Sequence, residues 1–289
     1  MKIKTLGAKN WYSCQLDRVD AAFRELGYDL VSDDFNDKVE LIYANDPGGF
    51  DKAIKHKQQF GGKLILNILD RPWHCKEINE WDARVKEQLK QADAVTTISK
   101  YTQSQVKQHL GFDSEVIYQP IKPVFKIEKV EKDIDFLMVG RLRDANKRAI
   151  LAYKVLNLKE NQNRIFVSCG GEPPGFGNHM GVVSDGELNC LYNRTKIVFA
   201  FGKVEGIALQ IPESLCSGTP VVTLSDNETN FEFCPAKLIA NPNALSINLK
   251  INEILDNYDF YLKYIEDYKS EYAVKFSPRS VATNILNLI

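Results

Sequence analysis

Glu205 and Glu213 are separated by seven intervening residues, within a segment running from Val204 to Val222. A short apolar helix is predicted to begin near Leu209, which puts Glu213 in its first turn. A carboxylate there can accept two hydrogen bonds at once and so hold the vicinal hydroxyls of a ribose. The free N–H groups and the dipole of the same helix end attract a diphosphate. Glu205, directly before Gly206, would then face a sugar. Pro212 is tolerated in a first helical turn, and Gly218 is placed to end the helix. Thr219 to Leu224 reads as a buried strand. Acids in a first turn also stabilise helices without any ligand, so the spacing alone leaves both readings open.

Cationic groups stand upstream. Arg141 follows Gly140 at the end of a predicted strand, Ile134 to Val139. Open α/β sheets bind ligands beyond the carboxyl ends of their strands. An arginine there can grip a diphosphate bidentately, and Lys147 adds a point charge. Pre-placed cations stabilise the charge left on a departing diphosphate and can remove the need for a metal. Arg143 and Arg148 lie close by, so a solvated basic turn is the competing reading. Met180 and Gly181 follow a Gly-Pro loop, 170–177, and could read a base through backbone groups. Asp70 and His74 follow an apolar strand, Leu64 to Leu69, where a turn-forming aspartate and a packing histidine are equally natural. Lys9 and Trp11 lie in the first loop and have both acceptor-side and packing readings.

These residues carry a resemblance. Glu205-Gly206-Ile207-Ala208-Leu209, followed by Glu213-Ser214-Leu215-Cys216-Ser217-Gly218-Thr219-Pro220-Val221-Val222, is similar to the signature of retaining GT-B glycosyltransferases of family 4. Phe136-Leu137-Met138-Val139-Gly140-Arg141-Leu142 with Lys147, Val183 through Tyr192, and Ala92 through Ser99 resemble further elements of that family. The likeness covers roughly residues 60–225. It implies an α/β chain of GT-B fold: two Rossmann-like domains with a cleft between them. An acceptor-side domain would span 1–122, a nucleotide-sugar domain 123–270, and a C-terminal helix, 271–289, would cross back onto the first. The implied reaction moves a sugar, with retention, from a UDP- or GDP-sugar to a glycan, lipid-linked or protein-glycan acceptor, without cofactor or obligatory metal. Arg141, Lys147 and Glu205 would act at the reaction centre. Gly140, Met180, Gly206, Ile207, Ala208, Leu209 and Glu213 would hold the donor, and Lys9, Trp11, Asp70 and His74 the acceptor.

The chain departs from the family pattern in places. The family lysine often falls one residue earlier, where Asn146 stands. Ala208 replaces a glycine, Ala200-Phe201-Gly202-Lys203 replaces a Pro-Ser, and the first loop lacks the usual glycines. Two rival readings are a non-catalytic nucleotide-sugar-binding protein and a nucleotide-sugar epimerase. The epimerase would need acids and a histidine to converge, with His74 and His179 as candidates.

The 289 residues suffice for two domains. A 44% hydrophobic and 26% charged composition at net charge −1 describes a globular chain with no long basic run for nucleic acid. Met1 to Leu6 is too short for a signal peptide, and no apolar run reaches membrane-spanning length. Membrane contact would be peripheral. Six scattered cysteines without a Cys-x-x-Cys pair argue against zinc and for reduced thiols, hence a cytoplasmic location. Strand and helix signals alternate, which predicts parallel sheets. Strands are expected at 3–6, 41–43, 64–69, 94–98, 116–118, 134–139, 164–168 and 198–201. Helices are expected at 17–26, 76–91, 99–110 and 148–156; 258–289 reads as helical, and its last part, 277–289, places Val281, Ile285 and Leu288 on one face. Gln119 to Asp133, with Pro120, Pro123 and alternating charges, reads as a linker.

Overall fold

The computed structural model describes residues 1–7, 13–69 and 79–289. The chain forms two compact units, one made of 1–120 and 275–289, the other of 121–274.

In the first unit, the strands β1 (Lys2–Leu6), β2 (Asp29–Val31), β3 (Leu41–Asn45), β4 (Lys63–Ile68), β5 (Ala94–Thr97) and β6 (Glu115–Val116) form one parallel sheet in the order β2-β1-β3-β4-β5-β6. Helices α1 (Ser13–Glu25), α2 (Asp46–Phe60), α3 (Asn79–Leu89) and α4 (Lys100–Gln105) connect them. The central strands β3 and β4 are buried on both faces, as in a covered parallel sheet. Leu41 and Tyr43 point to one core, Ile42 and Ala44 to the other. The helix after Ser99 starts as predicted, with the Ser99 hydroxyl accepting from the Thr102 amide at 3.0 Å. It then widens into a π turn, Val106–Leu110, before Gly111 closes it.

Helix α2 was not legible. No expectation covered Asp46-Pro47-Gly48-Gly49, which opens a 15-residue helix. Proline is harmless in a first turn. Gly49 has a packing reason, since a Cβ there would lie 2.9 Å from the Leu6 carbonyl oxygen.

The second unit repeats the architecture. Strands β7 (Ile134–Val139), β8 (Phe166–Cys169), β9 (Asn178–His179), β10 (Thr195–Ala200), β11 (Val221–Leu224) and β12 (Ile239–Ala240) form a parallel sheet ordered β12-β11-β10-β7-β8-β9. Its helices are α5 (Ala149–Leu156), α6 (Asp185–Arg194), α7 (Gln210–Cys216), α8 (Asn230–Phe233), α9 (Ala244–Asp256) and α10 (Tyr258–Lys275). Phe136, Phe199 and Phe201 stack in its core, with centroids 4.9 and 4.8 Å apart.

One expectation needs correction. The stretch read as a linker is bound along α6 from residue 126 on. Asn189 Oδ1 and Asn193 Oδ1 accept from the Lys126 and Glu128 amides at 3.1 and 2.7 Å, and Lys132 Nζ donates to the Asn193 and Thr195 carbonyls and to the Thr219 hydroxyl. Asparagines four residues apart share one helix face, so they present a ladder to extended backbone. The C-terminal region holds two helices. After α10 the chain breaks at Phe276 and Ser277, and Ser277 caps α11 (Pro278–Leu286). Val281, Ala282 and Ile285 of α11 join Val19 and Phe23 of α1 in the core of the first unit.

Candidate functional site

The candidate site lies in the second unit, where β7 and β10 end. The polypeptide after β7 runs Gly140 to Arg148 and then enters α5. The polypeptide after β10 runs Phe201 to Leu209 and enters α7. Parallel pairing of β7 with β10 brings these two carboxyl ends side by side, so residues nearly sixty positions apart become neighbours.

Lys147 and Glu205 meet there. Lys147 Nζ lies 2.5 Å from Glu205 Oε1, and the two side chains are only 15% and 13% exposed. The aliphatic stem of Lys147 crosses Gly140, where a Cβ would lie 3.5 Å from Lys147 Cε. Asn146 binds the same opposing turn. Its Nδ2 donates to the Val204 carbonyl and its Oδ1 accepts from the Val204 amide, both at 2.9 Å. Its carbonyl accepts from the Lys203 amide, also at 2.9 Å. Gly202 leaves room for the acid, since a Cβ at 202 would lie 2.2 Å from Glu205 Oε1. The position that departs from the family lysine is thus filled by a residue that holds the turn.

Arg141 is half exposed and pairs with Asp144 at 3.0 Å. Both predicted cations therefore stand beside carboxylates. The ammonium of Lys147 carries three N–H donors, so its bond to Glu205 does not exhaust it.

Glu213 is 3% exposed. It sits in the first turn of α7, and the Tyr192 hydroxyl from α6 donates to its Oε2 at 3.0 Å. Two thiols register its charge: burial first, and then Glu213, push Cys169 and Cys216 up to about 12. These cysteines are protonated at neutral pH and have no nucleophilic character. Gly206, Ile207 and Ala208 are buried beneath the turn and Leu209 is part-buried. The helix they introduce has seven residues, so its dipole is short.

Met180 follows the edge strand β9 and is 57% exposed. Its amide donates to the Ser168 carbonyl at 2.9 Å, and the Gly181 carbonyl accepts from the Gly170 amide at 2.8 Å. The Met180 amide and the Gly181 carbonyl thus tie this stretch to the sheet edge. His179 is bridged between Ser168 Oγ and the Gly171 carbonyl, each at 3.0 Å. Lys9, Trp11, Asp70 and His74 lie outside the described residues. Among the described residues no cluster of His, Cys, Asp or Glu could hold a metal ion, and no helix is long and apolar enough to cross a membrane.

Sequence reasoning passed over Gln210 and Arg148. Gln210 Nε2 donates to the Val139 carbonyl at 3.2 Å and lies over Gly140 beside Lys147. Its only signal was a polar residue at the head of an apolar helix. Arg148 read as part of a solvated basic turn, but its side chain is 12% exposed and donates to the Phe201 and Gly202 carbonyls.

No family model matches the chain, and no curated protein matches it. Solved structures do. Anabaena HepE in complex with UDP and glucose superposes with a TM-score of 0.79 at 12% identity, over 99% of this chain and 98% of that one. A glycosyltransferase from Rickettsia africae gives 0.76 at 11% identity, over 99% and 97%. The sucrose-phosphate synthase of Thermosynechococcus elongatus gives 0.72 at 15% identity, over 97% and 78%. The chain has the GT-B fold. Its two six-stranded parallel sheets are the Rossmann-like halves that the motifs around Gly140 and Glu205 implied.

Proposed function

We propose that the chain is a glycosyltransferase that moves a sugar from a UDP- or GDP-sugar to a glycan or lipid-linked acceptor, with retention, in the manner of family 4. The observation that carries this reading is the Lys147–Glu205 pair seated over Gly140, with Glu213 on the adjoining helix. The GT-B neighbours support it, among them HepE bound to UDP and glucose.

In this reading the donor lies across the ends of β7 and β10. Glu213 holds the ribose diol, with Tyr192 fixing the orientation of its carboxylate. Cleavage of the sugar–phosphate bond leaves negative charge on the diphosphate. Lys147 meets that charge with the donors not used by Glu205, and Arg141 meets it by exchanging Asp144 for phosphate oxygen. Donors already in place cost no reorganisation as charge develops. Glu205, held by Lys147 and Asn146, faces the sugar and the positive charge growing at its anomeric carbon. Arg141 and Lys147 do the work that a metal ion does elsewhere, so no metal is proposed.

The test is incubation with a panel of UDP- and GDP-sugars and candidate acceptors. Acceptor-dependent release of nucleotide supports transfer. Binding without turnover would make the chain a sensor, and acceptor-free interconversion of the donor's sugar would make it an epimerase. Glu213→Ala should weaken donor binding, whereas Arg141→Ala should lower kcat by about 10²–10³-fold. Full activity in both variants would remove the site from consideration.

A further inference from the structure

Among the described residues Arg148 is the one non-glycine residue with positive φ, at φ 52° and ψ 39°. It stands directly after Lys147 and directly before α5. A side-chain-bearing residue in left-handed backbone is strained, and it persists only where its surroundings over-determine it. Here they do. Arg148 Nε donates to the Phe201 carbonyl at 2.6 Å and one terminal nitrogen to the Gly202 carbonyl at 3.1 Å. The other terminal nitrogen donates to both carboxylate oxygens of Asp226, at 2.9 and 2.7 Å. Asn227 Nδ2 adds a second hold on the Gly202 carbonyl at 3.1 Å.

With the neighbouring contacts, an ordered clasp results. Arg148 takes 201 and 202, Asn146 takes 203 and 204, and Lys147 takes 205. A glycine would satisfy the backbone at 148 without strain. Only an arginine supplies three separate anchor points from one planar fork.

We infer that Arg148 is a positioning residue: it fixes the 201–205 turn and thereby seats the Glu205 carboxylate on Lys147. Its kinetic consequence rests on the transferase reading, but its geometry does not. Arg148→Gly removes the guanidinium while relieving the backbone, so the fold is kept. Arg148→Lys keeps the charge but cannot span Asp226 and two carbonyls, and it serves as the second variant. Both should lower kcat about 10²-fold through misplacement of Glu205, with the donor KM within about twofold of wild type. In a Glu205→Gln background, Arg148→Gly should cost less than about twofold more, because the two act as one unit. Millimolar guanidinium ion should restore part of the activity of Arg148→Gly and none of that of Arg148→Lys.

Wild-type kcat in Arg148→Gly, or a loss that multiplies in full onto Glu205→Gln, would overturn the inference. If the wild-type protein turns over no nucleotide sugar, the transferase reading fails, and hydrogen exchange decides the clasp by itself. The 201–205 amides should exchange at least about tenfold faster in Arg148→Gly than in wild type. Equal exchange would mean that the guanidinium does not hold the turn.

Discussion

Glu205 is a side chain placed by subtraction as much as by contact. The space it occupies exists because residue 202 has no Cβ. Gly202→Ala would drive a methyl into the carboxylate, which can yield only by leaving Lys147. The expected result is a protein folded to within about 1 kcal/mol of wild type with kcat lowered by about 10²-fold. Denaturant unfolding and steady-state kinetics on one preparation would separate the two, and a loss of stability equal to the loss of activity would count against it. Tyr192 poses the opposite case. Its hydroxyl serves a carboxylate that is almost wholly buried, so Tyr192→Phe removes a bond to a charged acceptor that water cannot replace. A stability loss of about 1–3 kcal/mol is expected. Urea unfolding checks this, and an unchanged midpoint would mean that Glu213 is held without Tyr192.

Helix α6 is the element on which the second unit hangs. Its amino end carries a capping box: the Ser184 hydroxyl accepts from the Glu187 amide at 3.3 Å, and Glu187 Oε2 accepts from the Ser184 amide at 2.8 Å. Its inner face carries Asn189 and Asn193, which bind the extended segment, and Tyr192, which binds Glu213. Ser184→Ala affects only the cap and should cost about 1 kcal/mol, a fall in Tm of about 2–4 °C for a unit of this size. Asn193→Ala removes the part-buried hydrogen bonds to the Lys126 carbonyl and the Glu128 amide, at about 0.5–1.5 kcal/mol each. It should also expose residues 124–133 to proteolysis, which limited digestion followed by mass spectrometry would locate. If Ser184→Ala proved the more damaging of the two, the ladder would not be what holds that segment.

For the molecule as a whole, acid sensitivity should begin in the first unit. His56 of α2 is 5% exposed and lies 3.4 Å from the buried Lys4 ammonium nitrogen of β1. Burial first, and Lys4 second, hold its pKa below the ordinary histidine value. A folded state that resists protonation is overtaken by an unfolded state that accepts it. The His56 contribution is therefore fully present above about pH 6.5 and lost as pH falls from there through the folded-state value. Unfolding free energy should drop between about pH 7.5 and about pH 5.5, and His56→Gln should flatten that slope. An equal slope in the variant would place the titrating group elsewhere.

Local pattern was enough for the layered α/β class, for most strands, and for the capped start at Ser99. Alternation, end signals and buried runs are properties of neighbouring residues, and neighbours are what a sequence displays. The same pattern misread 119–133, whose prolines and charges resemble a free linker until Asn189 and Asn193 are set alongside. It also missed α2, whose Pro-Gly-Gly opening makes sense only against β1. At the candidate site, residue types and spacing singled out Lys147, Glu205 and Glu213 individually. That Lys147 touches Glu205, that Asn146 and Arg148 grip the same turn, and that Tyr192 reaches Glu213 were decided by the parallel pairing of β7 with β10 and the seating of α6 beside α7. Those contacts join residues from about twenty to nearly eighty positions apart, and only burial of the shared core brings such distant positions to bonding distance.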